Sequence, residues 1–200
     1  MSFRILHGRI EKISQVASWI GGGAILFIAV MVSCDVLVRK MFGVTLQHAP
    51  ELAGYIFAVA ITMAYPLVLI RRANVRIDTA YTWLPPRVKA VLDVLGLVLF
   101  LGVAVMLARS ASEVLLSSWE ANSRSISPLG IRLWIPQLFW VGGFAVFVIV
   151  TGVVTLYAIS ALFRREWALV GRIAGVPSVA EAIEEEAQDY TPPVSSTLQD

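Results

Sequence analysis

Residues 18–38 read SWIGGGAILFIAVMVSCDVLV, twenty-one positions with one charged side chain, Asp35, near the far end. A hydrocarbon core about 30 Å thick is crossed by roughly 20 apolar residues in an α-helix. In lipid each backbone N–H and C=O has to be satisfied within the segment, so a stretch of this kind is read as a spanning helix. Arg39 follows Asp35 by four residues on the same helical face, where the two charges partly neutralise each other.

Three further apolar blocks follow. The second runs from about Pro50 to Ile70 (50–70). Pro50 suits a first helical turn, where its missing N–H is no loss, and Pro66 predicts a kink near the end of the span. The third begins near Val88 and is apolar to Ala108 (88–108), with an amphipathic continuation through Trp119. A loop holding Asn122, Ser123, Ser125, Ser127, Pro128 and Gly130 comes next. The fourth block, about Trp134 to Phe163 (134–163), exceeds a straight crossing and calls for tilt or protrusion. Of the 200 residues 58% are hydrophobic and 15% charged, against roughly a quarter charged in soluble domains. The fold class expected is therefore all-α, an integral membrane protein with four transmembrane helices.

Outside the 18–165 membrane domain lie two segments of different character. In residues 1–17, Phe3, Leu6, Ile10, Ile13 and Ala17 recur at helical spacing among Arg4, Arg9 and Lys12. That pattern fits an interfacial amphipathic helix or the exposed start of the first span. Residues 166–200 form a cytoplasmic tail that is acidic and expected to be disordered from about 176, with at most a short helix around Val179–Gln188. Loops on the side of the two chain ends carry eleven Lys and Arg, against five on the other side, so the N- and C-termini are expected to be cytoplasmic. Trp83, Trp119, Trp134 and Trp167 fall at span edges, where the amphipathic indole ring anchors in the headgroup region.

No constellation for covalent chemistry is present, and catalytic residues, metal ligands and cofactors are each expected to be none. The two histidines, His7 and His48, both lie outside the spans, whereas haem held between membrane helices needs axial ligands at depth. One cysteine, Cys34, excludes an intrachain disulfide and a CxxC pair. Its alternative reading as a lipoprotein cleavage site conflicts with an apolar run longer than a signal peptide's. The ionisable groups nearest the bilayer, Asp35, Asp93, Arg109 and Glu113, are all placed near span ends where water reaches them. Gly21–Gly23 and Gly142–Gly143 read as packing faces, where small residues let helix backbones approach.

Two segments carry a family likeness: VLVRKMFGVTLQHAPELAGYIF over Val36–Phe57 and RRANVRIDTAYTWLPPRVKAVLD over Arg71–Asp93. Together they resemble the small membrane (DctQ-like) subunit of the tripartite ATP-independent periplasmic (TRAP) transporters. Arg39, Phe42, Gly43, Glu51 and Leu52 match the end of the first helix and the start of the second. Val75, Arg76, Ile77, Asp78, Pro86 and Arg87 match the basic stretch that enters the third. Two positions depart from the family pattern. Gln47-His48 stands where a tryptophan is common, and Asn74 where a histidine is common.

The resemblance implies a small permease subunit in a bacterial inner membrane, working with a large TRAP permease subunit that holds the substrate and sodium sites. It also implies a periplasmic substrate-binding protein and sodium-driven uptake of an organic acid such as a C4-dicarboxylate. No nucleic-acid partner is implied. The candidate structural or partner-contact residues are Asp35, Arg39, Phe42, Gly43, Glu51, Arg76, Asp78 and Arg87. Glu51 is read either as pairing with Arg39 or Lys40, or as a solvated helix-start carboxylate favoured by the dipole. Arg76 and Asp78 are read as a structured corner, with Asp78 capping its turn. Candidate lipid-headgroup residues are Arg71, Arg72, Trp83, Trp134, Arg164 and Arg165. Two rival functions stay open: a membrane anchor for a redox enzyme, which needs haem or quinone ligands, and a small dimeric exporter, which needs Asp35.

Overall fold

The structure, a computed structural model, describes residues 2–43, 48–72, 84–127 and 129–175, the side chains of 2–11 and 13 excepted. Four long helices dominate: α1 (Ser2–Phe42), α2 (Ala49–Ile70), α3 (Pro86–Glu120) and α4 (Trp134–Phe163), followed by a short α5 (Trp167–Ala174). Each of the four is long and apolar enough to cross a membrane. The described residues form no strand; the α3–α4 loop carries one isolated antiparallel bridge, Arg124 with Arg132.

Helix ends follow local chemistry. Gly43 stops α1: its N–H bonds the Arg39 carbonyl at 3.0 Å and its φ is +66°, a conformation glycine adopts without steric cost. Pro86 opens α3 at a first-turn position. Asn122 ends the same helix with φ +45°. Its N–H bonds the Trp119 carbonyl, and the next N–H, of Ser123, reaches back to Ser118, a Schellman closure. Arg165 closes α4 in the same way, through Leu162 and Ala161. Pro66 removes the N–H that would bond the Thr62 carbonyl, and α2 continues one further turn to Ile70.

The helices pack as two hairpins, α1 with α2 and α3 with α4, joined by α2 against α4. The α1–α2 crossing is closest at Gly21, where an added Cβ would lie 2.9 Å from the Ala60 carbonyl oxygen. The α2–α4 crossing is closest at Gly143, where an added Cβ would overlap the Thr62 hydroxyl and lie 2.6 Å from the Thr62 Cβ. Two of the predicted packing glycines thus sit at crossings, while a Cβ at Gly22, Gly23 or Gly142 would meet open space. The core between α2, α3 and α4 is built of Ala, Val and Leu around a group of aromatic rings. Phe147 meets Phe100 edge-on at 5.6 Å and Tyr65 at 5.3 Å, and Trp140 packs on Phe144 at 5.3 Å.

Among the long helices, α1 packs chiefly on α2. It shows a broad apolar surface, including Trp19 and Leu26, as suits a helix facing lipid or a partner. The α1 helix runs without a break through the segment read from sequence as interfacial. The α3 helix continues through the amphipathic stretch to Glu120. The α5 helix is a finding beyond the sequence reading: Val170 and Ala174, four residues apart, are buried where α5 lies against α3 and α4.

Candidate functional site

Most of the charged groups of the described residues lie toward the two ends of the bundle. Successive helices reverse direction, so one end carries the C-termini of α1 and α3 and the starts of α2 and α4. Glu51 lies in the first turn of α2, where the dipole favours a carboxylate. One turn later the Tyr55 hydroxyl donates to Glu51 Oε1 at 2.6 Å. The carboxylate also faces the Ser125 and Ser127 hydroxyls of the α3–α4 loop.

That loop holds the serines in place. Ser125 N–H bonds the Ile131 carbonyl and Leu133 N–H bonds the Ser123 carbonyl, giving a hairpin-like base. Inside it Ser125 Oγ donates to Ser127 Oγ at 3.0 Å, and Ser127 Oγ accepts the Leu129 N–H at 3.2 Å. Trp119 and Trp134 flank the loop with ring centroids 4.8 Å apart, edge to face. The result is a clasp: a carboxylate at the start of one hairpin set against the hydroxyls at the turn of the other. Glu51 Oε2, His48 Nδ1 and Gln137 Oε1 are shielded from solvent and have no hydrogen-bond partner among the described residues.

At the same end, Arg39 Nη2 donates to Asp35 Oδ2 at 2.8 Å, the pair expected from their spacing. The Asp35 side chain is only 3% exposed and that of Arg39 56%. Asp35 is therefore buried, contrary to the expectation that water reaches it, because its own helix supplies a cation one turn away whose head stays at the surface. Asp93 is likewise buried. Arg109 and Glu113 form an exposed pair at 3.0 Å. Glu51 makes no ion pair among the described residues, with Arg39 or otherwise: Arg39 is held by Asp35 on its own helix.

The matched string Arg39, Phe42, Gly43 therefore divides into three local roles. Arg39 neutralises Asp35, Gly43 ends the helix, and Phe42 leaves an aromatic ring exposed.

The opposite end is cationic. Arg71 caps α2 and Arg72 follows in the left-handed region, φ 53°; Arg164 caps α4 and Arg165 follows at φ 59°. Cations here complement the negative ends of both helix dipoles. Arg87, in the first turn of α3, is exposed. Arg76, Asp78, Trp83 and the tail from 176 lie outside the described residues. Among the described residues no group of three or more His, Cys, Asp or Glu could hold a metal ion.

Of the clasp, Glu51 was visible in the sequence. Tyr55 was not singled out, although its four-residue offset from Glu51 is a signal for such a bond. The serines were read only as loop formers. Compared with known families, residues 28–164 match the model described as "Tripartite ATP-independent periplasmic transporters, DctQ component". No curated protein and no solved structure matches the chain.

Proposed function

Since the chain belongs to the DctQ component family of the tripartite ATP-independent periplasmic transporters, and so is a small permease component of such a transporter, we propose that it is the scaffold of a sodium-driven organic-acid uptake system. In this reading it sits in a bacterial inner membrane with both termini cytoplasmic. It braces the immobile part of a large permease subunit, and that subunit holds the substrate and sodium sites. A periplasmic binding protein delivers the substrate, for example a C4-dicarboxylate, to the outer end, where the clasp lies.

The observation that carries the reading is the family match, which spans all or part of each of the four long helices. The structure supports it through the residues assigned to each end. Asp35, Arg39, Phe42, Gly43 and Glu51 shape the outer end. Arg71, Arg72, Arg164 and Arg165 meet anionic headgroups at the inner end. Arg87 stands at the start of α3 at the inner end, and Trp134 anchors the outer interface.

The test is reconstitution in liposomes with an imposed sodium gradient and a panel of labelled C4-dicarboxylates and other organic acids. The chain alone is expected to give no uptake, and uptake is expected to appear when the large permease and the binding protein are added. Transport by the chain alone refutes the scaffold role. Failure to co-purify with the permease refutes the partnership.

A further inference from the structure

Between α1 and the end of α2 lies an open cleft of about 750 Å³, within the size range of small-molecule sites. Its walls change character along their length. Gln15 and Arg71 stand at the mouth, and Trp19, Gly22, Gly23 and Leu67 line the rest. Among the described residues, none lies within reach of a Cβ placed at Gly22 or Gly23. These two glycines are therefore not explained by helix crossings within the protein, unlike Gly21 beside them. What they provide is depth: a strip of bare backbone flanked by an exposed indole ring.

We infer that this cleft is a binding site for one anionic phospholipid, its acyl chain lying along Gly22–Gly23 and its phosphate held at the mouth by Arg71. Three properties favour this occupant. The wall is mainly apolar, with the Ser18 hydroxyl set among Trp19, Leu26 and Leu67. The cation stands where α2 ends and the headgroup layer begins, so the change from apolar to cationic along the cleft follows that of a phospholipid from tail to head. The Arg71 guanidinium also presents several donors in a planar fork suited to phosphate oxygens, so contacts it already makes leave room for another. Placing the lipid in the inner leaflet rests on the orientation proposed above; the existence of the site does not.

The experiment uses the purified full-length chain in mild detergent. Native mass spectrometry measures retention of dioleoyl phosphatidylglycerol against dioleoyl phosphatidylcholine. A single cation near the headgroup layer should give a preference of about fivefold for phosphatidylglycerol. Gly22→Leu fills the groove with a good helix former and should reduce retention of both lipids. Gly23→Leu serves the same purpose should the first variant fold poorly, with circular dichroism as the check on each. Arg71→Gln should leave a bound lipid but bring the preference close to one. Equal retention of the two lipids by the unaltered chain overturns the proposal, as does full retention in folded leucine variants. Because no permease, gradient or membrane orientation enters the measurement, its failure leaves the scaffold reading untouched. Failure of uptake or co-purification in turn leaves this site standing.

Discussion

Gly143→Ala is expected to force α2 and α4 apart, and the geometry sets the size of the effect. The new Cβ would lie 2.6 Å from the Thr62 Cβ and 3.3 Å from the Thr62 carbonyl carbon. Carbon atoms in contact prefer about 3.5–4.0 Å, so relief needs about 1 Å of separation at the crossing. Rotating the Thr62 hydroxyl away does not help, because the nearest carbon is the Cβ itself. Overpacking of this kind costs about 1–3 kcal/mol. Against that, alanine in a helix interior gains up to about 1 kcal/mol over glycine. Gly142→Ala isolates the difference, since it makes the same gain one residue away, where a Cβ meets open space. Unfolding in mixed micelles with rising SDS, followed by tryptophan fluorescence, should therefore rank Gly143→Ala below Gly142→Ala by about 1–3 kcal/mol. Thr62→Ala should rescue little, as it keeps the offending carbon. Thr62→Gly should show a favourable coupling with Gly143→Ala in a double-mutant cycle. Equal stability of the two alanine variants would refute the claimed closeness of the crossing.

Two further perturbations probe the end that carries the clasp. Arg39→Gln should destabilise the chain more than Asp35→Asn in the same titration, because it removes a cation from beside a buried carboxylate, whereas the asparagine leaves an exposed arginine that water can serve. The reverse order would show that the pair is incidental. Tyr55→Phe removes the hydroxyl that donates to Glu51 and should lower the midpoint of unfolding, because the carboxylate loses a donor. Thermal denaturation read by circular dichroism checks this, and an unchanged midpoint would show that the clasp does not contribute to stability.

Much of the architecture follows from composition alone, because lipid permits so few backbone solutions. The four blocks between Ser18 and Phe163 are apolar enough to require helices. Gly43 and Pro86 mark boundaries through backbone properties that act within one turn. The Asp35–Arg39 pair was legible for the same reason: both members lie on one helix at a spacing that faces them together. The α5 helix was harder to see. Its buried pair, Val170 and Ala174, repeats only once, and in a segment that short one repeat does not stand out from chance.

What stayed hidden involves partners distant in sequence. Glu51 and Ser125 are far apart along the chain, and they meet because α2 packs on α4 and the turn after α3 folds back over the start of α2. No local pattern encodes that meeting. The same limit explains why Glu51 was first set against Arg39, a cation near in sequence across a short loop. The four-residue offsets from Glu51 to Tyr55 and from Asp35 to Arg39 both pointed instead to partners on the same helix. Arg39 pairs with Asp35 and not with Glu51 because an i,i+4 partner is positioned by the helix itself, whereas a partner across a loop adds the entropy of fixing that loop. The glycines show the converse. Gly21, Gly22 and Gly23 are identical in sequence, yet one faces Ala60 and the other two face open space. Their division of labour, one for the helix crossing and two for the cleft, is written only in the rotation of α1 about its own axis.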